Sequence, residues 1–283
     1  MNSIAESRLY TFIDSSKNFT INFLDGQKLV SDWFTLSQHY EPTQKFFKEF
    51  LLTFPFLKVF NKSSHDIGVY FDSKEPFFQC KMEFFSKNEL RTLIIPENFQ
   101  AQTNLLDGFC RLQQFHPGNG KPYTSILECH KTSPIQLLRD LFKSSFQIES
   151  HIHYSDVYNQ SYLIHHLPRK NNKEIADFSI KDRENFQSFI SKISTPLDNI
   201  SKLQLNDLRE IVETIEEMTG LQYLQSKMLK IGCRCSKERV LSSLSSLSLE
   251  DRESLFDSQK IISVDCEYCK KIYEIKETDF LFN

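Results

Sequence analysis

The residues best able to do chemistry in this chain lie near its C-terminal end. Cys233-Arg234-Cys235 is followed by thirty further residues and then by Cys266-Glu267-Tyr268-Cys269, so four of the seven cysteines form two close pairs. Thiolates bind zinc in a tetrahedron at about 2.3 Å, and two short chelating pairs joined by a folded excursion give one chain that geometry. Side chains alternate along an extended strand, so a Cys-x-Cys can turn both sulfurs to one face. The two-residue spacer of Cys-x-x-Cys does the same across a turn. Cys233, Cys235, Cys266 and Cys269 are therefore the expected ligands of one Zn2+. They are also the candidate redox sensors, because a metal-bound thiolate is already deprotonated and the thiolate is the species an oxidant attacks. Arg234, Lys237, Arg239, Lys270 and Lys271 stand close by in sequence to stabilise that negative charge.

Four sulfurs need a framework around them. Ser236 is placed to cap a helix through Val240, Leu241 and Leu244, and Ser248 with Asp251 to open another through Leu255 and Phe256. Residues 228–283 number only 56, too few to bury a secure core without a staple. Structural zinc contributes roughly 10 to 16 kcal/mol in finger peptides, against a net stability of about 5 to 15 kcal/mol for whole domains. Loss of the metal should therefore unfold this module. A zinc that serves only as a permanent staple is the plainer alternative for any four-cysteine site.

Two further regions precede the module, giving an α+β chain divided into 1–168, 169–227 and 228–283. From Asn18 to His166 the pattern is mainly short β-type runs interrupted by helices. Lys81 to Phe84 and Leu90 to Ile95 flank Ser86-Lys87-Asn88-Glu89 as a hairpin. His116-Pro117-Gly118-Asn119-Gly120-Lys121-Pro122 is a turn, because Gly and Asn tolerate positive φ and Pro ends strand pairing. One helix is expected over Thr43 to Phe54 behind Pro42. Another follows Ser133-Pro134, with a capping hydroxyl, a proline at the first helical position and Leu137, Leu138 and Leu141 as its apolar face. A mixed, sheet-rich first domain follows. Past Pro168, Arg169-Lys170-Asn171-Asn172-Lys173 reads as an exposed connection. Phe186, Phe189, Ile190 and Ile193 then recur at helical spacing, with Thr195-Pro196 expected to end that helix. Leu208, Ile211, Val212, Ile215 and Met218 form the apolar side of a second helix that Gly220 should terminate. These linker helices have no sheet of their own and must bury their stripe on the first domain. Elements held only by docking are the ones expected to detach.

The runs Cys-x-Cys-Ser-x-Glu-Arg-Val at Cys233 to Val240 and Cys-Glu-Tyr-Cys-x-x-x-Tyr at Cys266 to Tyr273 closely resemble the C-terminal domain of the bacterial redox-regulated thirty-three-kilodalton heat-shock chaperone family. The order of regions upstream agrees, with weaker echoes at Lys121-Pro122-Tyr123 and Leu167-Pro168. The resemblance implies a holdase independent of ATP, inactive while its cysteines hold zinc. It further implies that oxidation pairs Cys233 with Cys235 and Cys266 with Cys269, releases the metal, melts the module and linker, and exposes a surface that binds unfolding proteins. Oxidised relatives also dimerise. A Cys-x-Cys disulfide closes a small ring, which would favour easy re-reduction. Two departures stand out: Lys270 replaces the glycine usual after the second pair, and only Gly26, Gly68, Gly108, Gly118 and Gly120 precede Pro168 where relatives are glycine-rich.

Composition narrows the function further. Hydrophobic residues at 40% and charged residues at 25% exclude a disordered chain. A net charge of −3 gives no general attraction to phosphate. From Met228 onward nine Lys/Arg face ten Asp/Glu, which is not the footprint of a phosphate-binding ribbon, so nucleic acid is not an expected partner. No stretch approaches the roughly 20 apolar residues of a bilayer crossing, and the opening residues lack a basic-then-apolar leader. The expected location is the cytoplasm, with no membrane partner, and the acceptor patterns Asn18-Phe19-Thr20 and Asn61-Lys62-Ser63 read as accidental.

Cys80 shares its strand face with Phe78, Met82 and Phe84 and belongs in the core, as do Cys110 and Cys129. Cys129 and His130 point to opposite faces of a strand and cannot act as nucleophile and base. His151, His153, His165 and His166 lack a further ligand at a telling distance and are expected in surface or strand-pairing roles. Most of the twenty-six phenylalanines should be core, with some available as a client surface. No phosphate-binding glycine loop, nucleophile elbow or paired catalytic histidines occur, so no enzyme activity is expected. The remaining rival is a zinc-ribbon adaptor that binds a fixed protein partner without redox switching.

Overall fold

Apolar residues spaced two apart put a large sheet at the centre of the molecule. The computed structural model describes residues 6–36, 41–61, 64–75, 77–100, 105–118, 120–167, 180–203, 205, 207–256 and 260–282. In chain order the strands are β1 (Ser7–Ile13), β2 (Phe19–Asp25), β3 (Asp66–Ser73), β4 (Phe78–Phe84), β5 (Glu89–Ile95), β6 (Leu106–Phe115), β7 (Tyr123–Thr132), β8 (Ser150–Ser155), β9 (Gln160–His166), β10 (Gln222–Ile231), β11 (Ile261–Asp265) and β12 (Ile272–Lys276). The helices are α1 (Gln27–Leu36), α2 (Glu41–Thr53), α3 (Pro134–Leu141), α4 (Ile180–Ile200), α5 (Leu208–Thr219), α6 (Lys237–Ser245) and α7 (Leu249–Phe256). Among the described residues ten strands form one sheet in the order β7-β6-β3-β4-β5-β10-β1-β2-β9-β8, and β11 pairs with β12 in a separate hairpin. The architecture is α+β, as expected.

Two cores lie on opposite faces of the β1-β2-β9 region. One gathers Leu9, Leu24 and Leu163 with Leu29, Trp33, Phe47 and Phe50 of α1 and α2 and with Leu137, Leu138 and Leu141 of α3. The other sets Tyr10, Phe12, Phe19, Ile21, Phe23, Tyr162 and Ile164 against Phe186, Ile190, Ile193, Leu197 and Ile200 of α4 and Ile211 and Ile215 of α5. Because successive side chains alternate between faces, covering both faces leaves every residue of β2 buried. The amphipathic stripe of α4 and α5 is thus buried on the β1-β2-β9 face of the sheet. The cap expected at Ser133 forms, its hydroxyl accepting the Gln136 N–H, and Gly220 closes α5 at φ 70°.

One expectation is corrected. The helix expected to stop at Thr195-Pro196 continues to Ile200 with Pro196 inside it. An interior proline costs roughly 3 kcal/mol, but burying Leu197 and Ile200 beyond it returns about 1.5–3 kcal/mol each. After α4 and α5 the chain enters β10, whose residues run from Gln222 to Ile231. Pro168 and Arg169 to Lys173 lie outside the described residues.

Candidate metal centre

β10 delivers the first cysteine pair. It runs antiparallel to β1 and, at its end, parallel to β5, with Ile231 beside Leu90. The Gly232 N–H donates to the Leu90 carbonyl at 2.8 Å, and Cys233 follows directly. The second pair sits in the β11–β12 turn, where the Cys266 N–H donates to the Lys271 carbonyl at 2.9 Å and the Lys270 N–H to the Cys266 carbonyl at 2.8 Å. Lys270 has φ 59°, the left-handed conformation that glycine adopts freely, at a cost of about 1–2 kcal/mol for a side chain.

A small core supports both pairs. Leu241, Ile262, Tyr273 and Ile275 are buried, with Cys235, Cys266, Val240, Leu244, Leu255 and Phe256 packed around them. Both expected caps form: Ser236 Oγ accepts the Arg239 N–H, and Ser248 Oγ accepts the Asp251 N–H while donating to its carboxylate.

The four sulfurs Cys233, Cys235, Cys266 and Cys269 all lie within 4.8 Å of one another. Cys233 Sγ is 3.6 Å from Cys266 Sγ, and Cys235 Sγ is 3.3 Å from Cys269 Sγ. A tetrahedron with arms of about 2.3 Å has edges of roughly 3.8 Å, so the sulfurs are spaced to share one ion. Four soft donors with no oxygen ligand suit Zn2+ over hard cations.

The surroundings differ from sulfur to sulfur. The Tyr273 hydroxyl donates to Cys235 Sγ at 3.0 Å. Burial alone would raise the Cys235 thiol, but that donor and the neighbouring thiols outweigh it and bring the thiol below its ordinary value. Burial, followed by protons shared with Cys235 and Cys266, pushes Cys269 up.

Cations near in sequence were expected to stabilise the sulfurs, and here the structure differs. Arg234 pairs with Asp66 at 3.2 Å and Glu89 at 3.5 Å, Lys237 with Asp279 at 2.7 Å, and Lys270 with Glu97 at 2.8 Å. The guanidinium that reaches a sulfur is Arg91 of β5, whose Nη1 lies 4.0 Å from Cys233 Sγ. It comes from 142 positions away, and nothing local in the sequence marks it.

The other candidates settle into packing. Cys80, Cys110 and Cys129 are buried in the main core, and burial holds their thiols protonated, Cys129 at about 11. His130 is exposed on the face opposite Cys129. His165 is buried, while His153 faces Asp198 at 3.5 Å. Among the described residues, the four cysteines are the group of three or more His, Cys, Asp or Glu side chains that converges, and no helix is long and apolar enough to cross a membrane.

Comparison with known proteins gives a consistent result. A family model described as Hsp33 protein matches residues 7–276. The 33 kDa chaperonin of Agathobacter rectalis is 33% identical over 87 residues, 30% of each chain. That of Neisseria gonorrhoeae is 25% identical over 165 residues, covering 58% of this chain and 51% of its own. The aligned segments thus span about a third to a half of these relatives' length. The crystal structure of the 33 kDa chaperonin (Hsp33 homologue) from Thermotoga maritima matches 98% of this chain and 97% of its own with a TM-score of 0.72 at 15% identity, a likeness of fold.

Proposed function

The chain belongs to the Hsp33 family, and on that premise we propose that it is a redox-regulated, ATP-independent holdase, inactive while Cys233, Cys235, Cys266 and Cys269 hold one Zn2+. The observation that carries the reading is the convergence of those four sulfurs within 4.8 Å. Bound zinc supplies folding free energy to the terminal module and keeps its ligands as thiolates.

Each two-electron oxidation by a peroxide joins two thiolates. The O–O bond breaks, an S–S bond forms, and the two oxygens leave as water with two protons from solvent. After two such events the sulfurs no longer hold a cation. Every edge of the cluster is short, so proximity alone does not choose the partners; the pairing of Cys233 with Cys235 and Cys266 with Cys269 is the one that the family resemblance implies. Crossed disulfides between the two pairs would close loops of about 34 residues and stabilise the module by roughly 4 kcal/mol. Pairing neighbours, Cys233 with Cys235 and Cys266 with Cys269, leaves the excursion between them free to unfold.

The division into core (1–168), linker (169–227) and zinc module (228–283) goes with this reading, β10 being the strand through which linker and module are joined. When the module melts, α4 and α5 leave the sheet and uncover the face bearing Phe12, Phe19, Ile21 and Phe23. Unfolding proteins in the cytoplasm are the clients, the oxidised chain forms a homodimer, and no substrate is turned over.

The test is suppression of thermal aggregation of an unrelated protein by the reduced and the peroxide-treated chain. Protection should appear with oxidation and disappear when thiol reductant and zinc are returned. Equal protection by the reduced, metal-loaded chain would contradict the switch, and no protection in either state would favour a static adaptor.

A further inference from the structure

The terminal module meets the sheet through two reciprocal arginines. Arg234, the spacer of the first cysteine pair, reaches into the sheet: its Nη1 lies 3.2 Å from Asp66 Oδ2, its Nε 3.5 Å from Glu89 Oε2 and its Nη2 3.4 Å from Ser86 Oγ. Arg91 reaches the other way from β5. It donates to Glu83, contacts Cys233 Sγ and lies over the Tyr268 ring at 4.0 Å, inside the second cysteine pair. Glu83 is fixed in turn by the Tyr70 hydroxyl at 2.9 Å. Both guanidiniums rest on Phe85, Arg234 at 4.0 Å and Arg91 at 5.3 Å. These side chains are largely shielded from water, with exposures of 22% for Arg91, 25% for Arg234, 16% for Glu83 and 19% for Glu89. Pairs so placed are screened less than surface ion pairs, yet at these exposures they still weaken as salt rises.

We propose that Arg91 and Arg234 form a latch through which the oxidation state of the four sulfurs controls docking of the cysteine module on the sheet. They are positioning residues, and the proposal rests on the holdase reading because it takes the sulfurs as the switch. Four thiolates around one divalent cation leave two negative charges in excess, and Arg91 faces them. Two disulfides, formed by a peroxide as balanced above, carry none, so the attraction holding Arg91 to Cys233 is lost. Closing a Cys233–Cys235 bond also draws the two Cβ atoms to about 3.8 Å, turning the backbone of Arg234 between them and pulling its side chain off Asp66 and Glu89. Both changes release the same junction. That junction is where β10 joins the two halves of the ten-stranded sheet, since its Lys230 and Ile231 pair with Glu89 and Leu90 of β5. Undocking therefore reaches β10, and through it α5, without waiting for the module to melt.

The experiment uses the full chain, reduced and zinc-loaded, with Arg91→Gln, Arg234→Gln and the conservative Arg234→Lys. Zinc per chain and amide hydrogen exchange at Lys230 and Gly232, which bond to Asn88 and Leu90 across the junction, are measured together. Both glutamine variants should retain zinc and exchange at least tenfold faster than the parent, and Arg234→Lys should recover most of the protection. Peroxide should then accelerate exchange less in the glutamine variants than in the parent, a non-additivity that a merely structural role would not give. Parent-like exchange in the reduced variants, or an equal peroxide increment in all, overturns the latch. Should a variant lose its zinc through misfolding, the parent at low and high salt supplies the same reading. Exchange at Gly232 should rise with salt while zinc stays bound, and salt-independent exchange overturns the latch. A parent without zinc when reduced would instead overturn the holdase reading; zinc that binds and is released normally while the variants match the parent sinks the latch alone.

Discussion

Tyr273 touches the cluster through one oxygen. Its hydroxyl donates to Cys235 Sγ while its ring is buried in the module core, so Tyr273→Phe removes the donor and keeps the packing. Donors to metal ligands are typically worth 10–100-fold in metal affinity. Competition with a chelator should show zinc held about tenfold more weakly in the variant, and unchanged affinity would remove Tyr273 from the account. His165 gives a pH prediction. Burial brings it from 6.5 to about 4, so between those values the unfolded chain binds more protons than the folded one and stability falls as pH drops from 6.5 towards 4. Asp25, pushed up from 3.8 to about 6 by burial, acts oppositely, losing stability as pH rises through that window. Comparing urea unfolding of the parent with His165→Leu isolates the histidine, whose removal should flatten the acid limb; identical slopes would contradict it. The cysteines were legible because ligand spacing is local. Arg91 was not, since its meeting with Cys233 exists only once β5 and β10 are paired.

At the scale of elements, α4 and α5 are held by one apolar stripe each. Ile215 is fully buried beneath α5, and Ile215→Ala should cost about 2–5 kcal/mol. Because the helix is docked, not threaded into the sheet, the loss should be local: amides of α5 exchange faster while those of β1, β2 and β9 keep their protection. Equal loss across both would mean that linker and sheet unfold as one unit. Helical periodicity made α5 and its Gly220 cap readable from the sequence. The proline rule failed at Pro196 because the rule is local and the burial of Leu197 and Ile200 is not. β10 was invisible for a related reason. Of its ten residues only Leu229 is buried, so it carries no alternation, and it is a strand because the backbones of β1 and β5 need hydrogen-bond partners on either side.

For the whole molecule, the arrangement places a small module with four converging cysteines at the end of the strand that joins two half-sheets, next to the helices that cover an aromatic face. The module's own core is four buried side chains and their neighbours, too little to persist alone. Its folding should therefore follow the state of its sulfurs. The most direct test is a peroxide titration of the reduced chain, counting zinc released and thiols lost while amide exchange is followed over residues 233–276. The account predicts one zinc leaving per four thiols, with protection of that segment lost in step. A reduced chain without zinc, or a segment that stays protected after its zinc has gone, would contradict it.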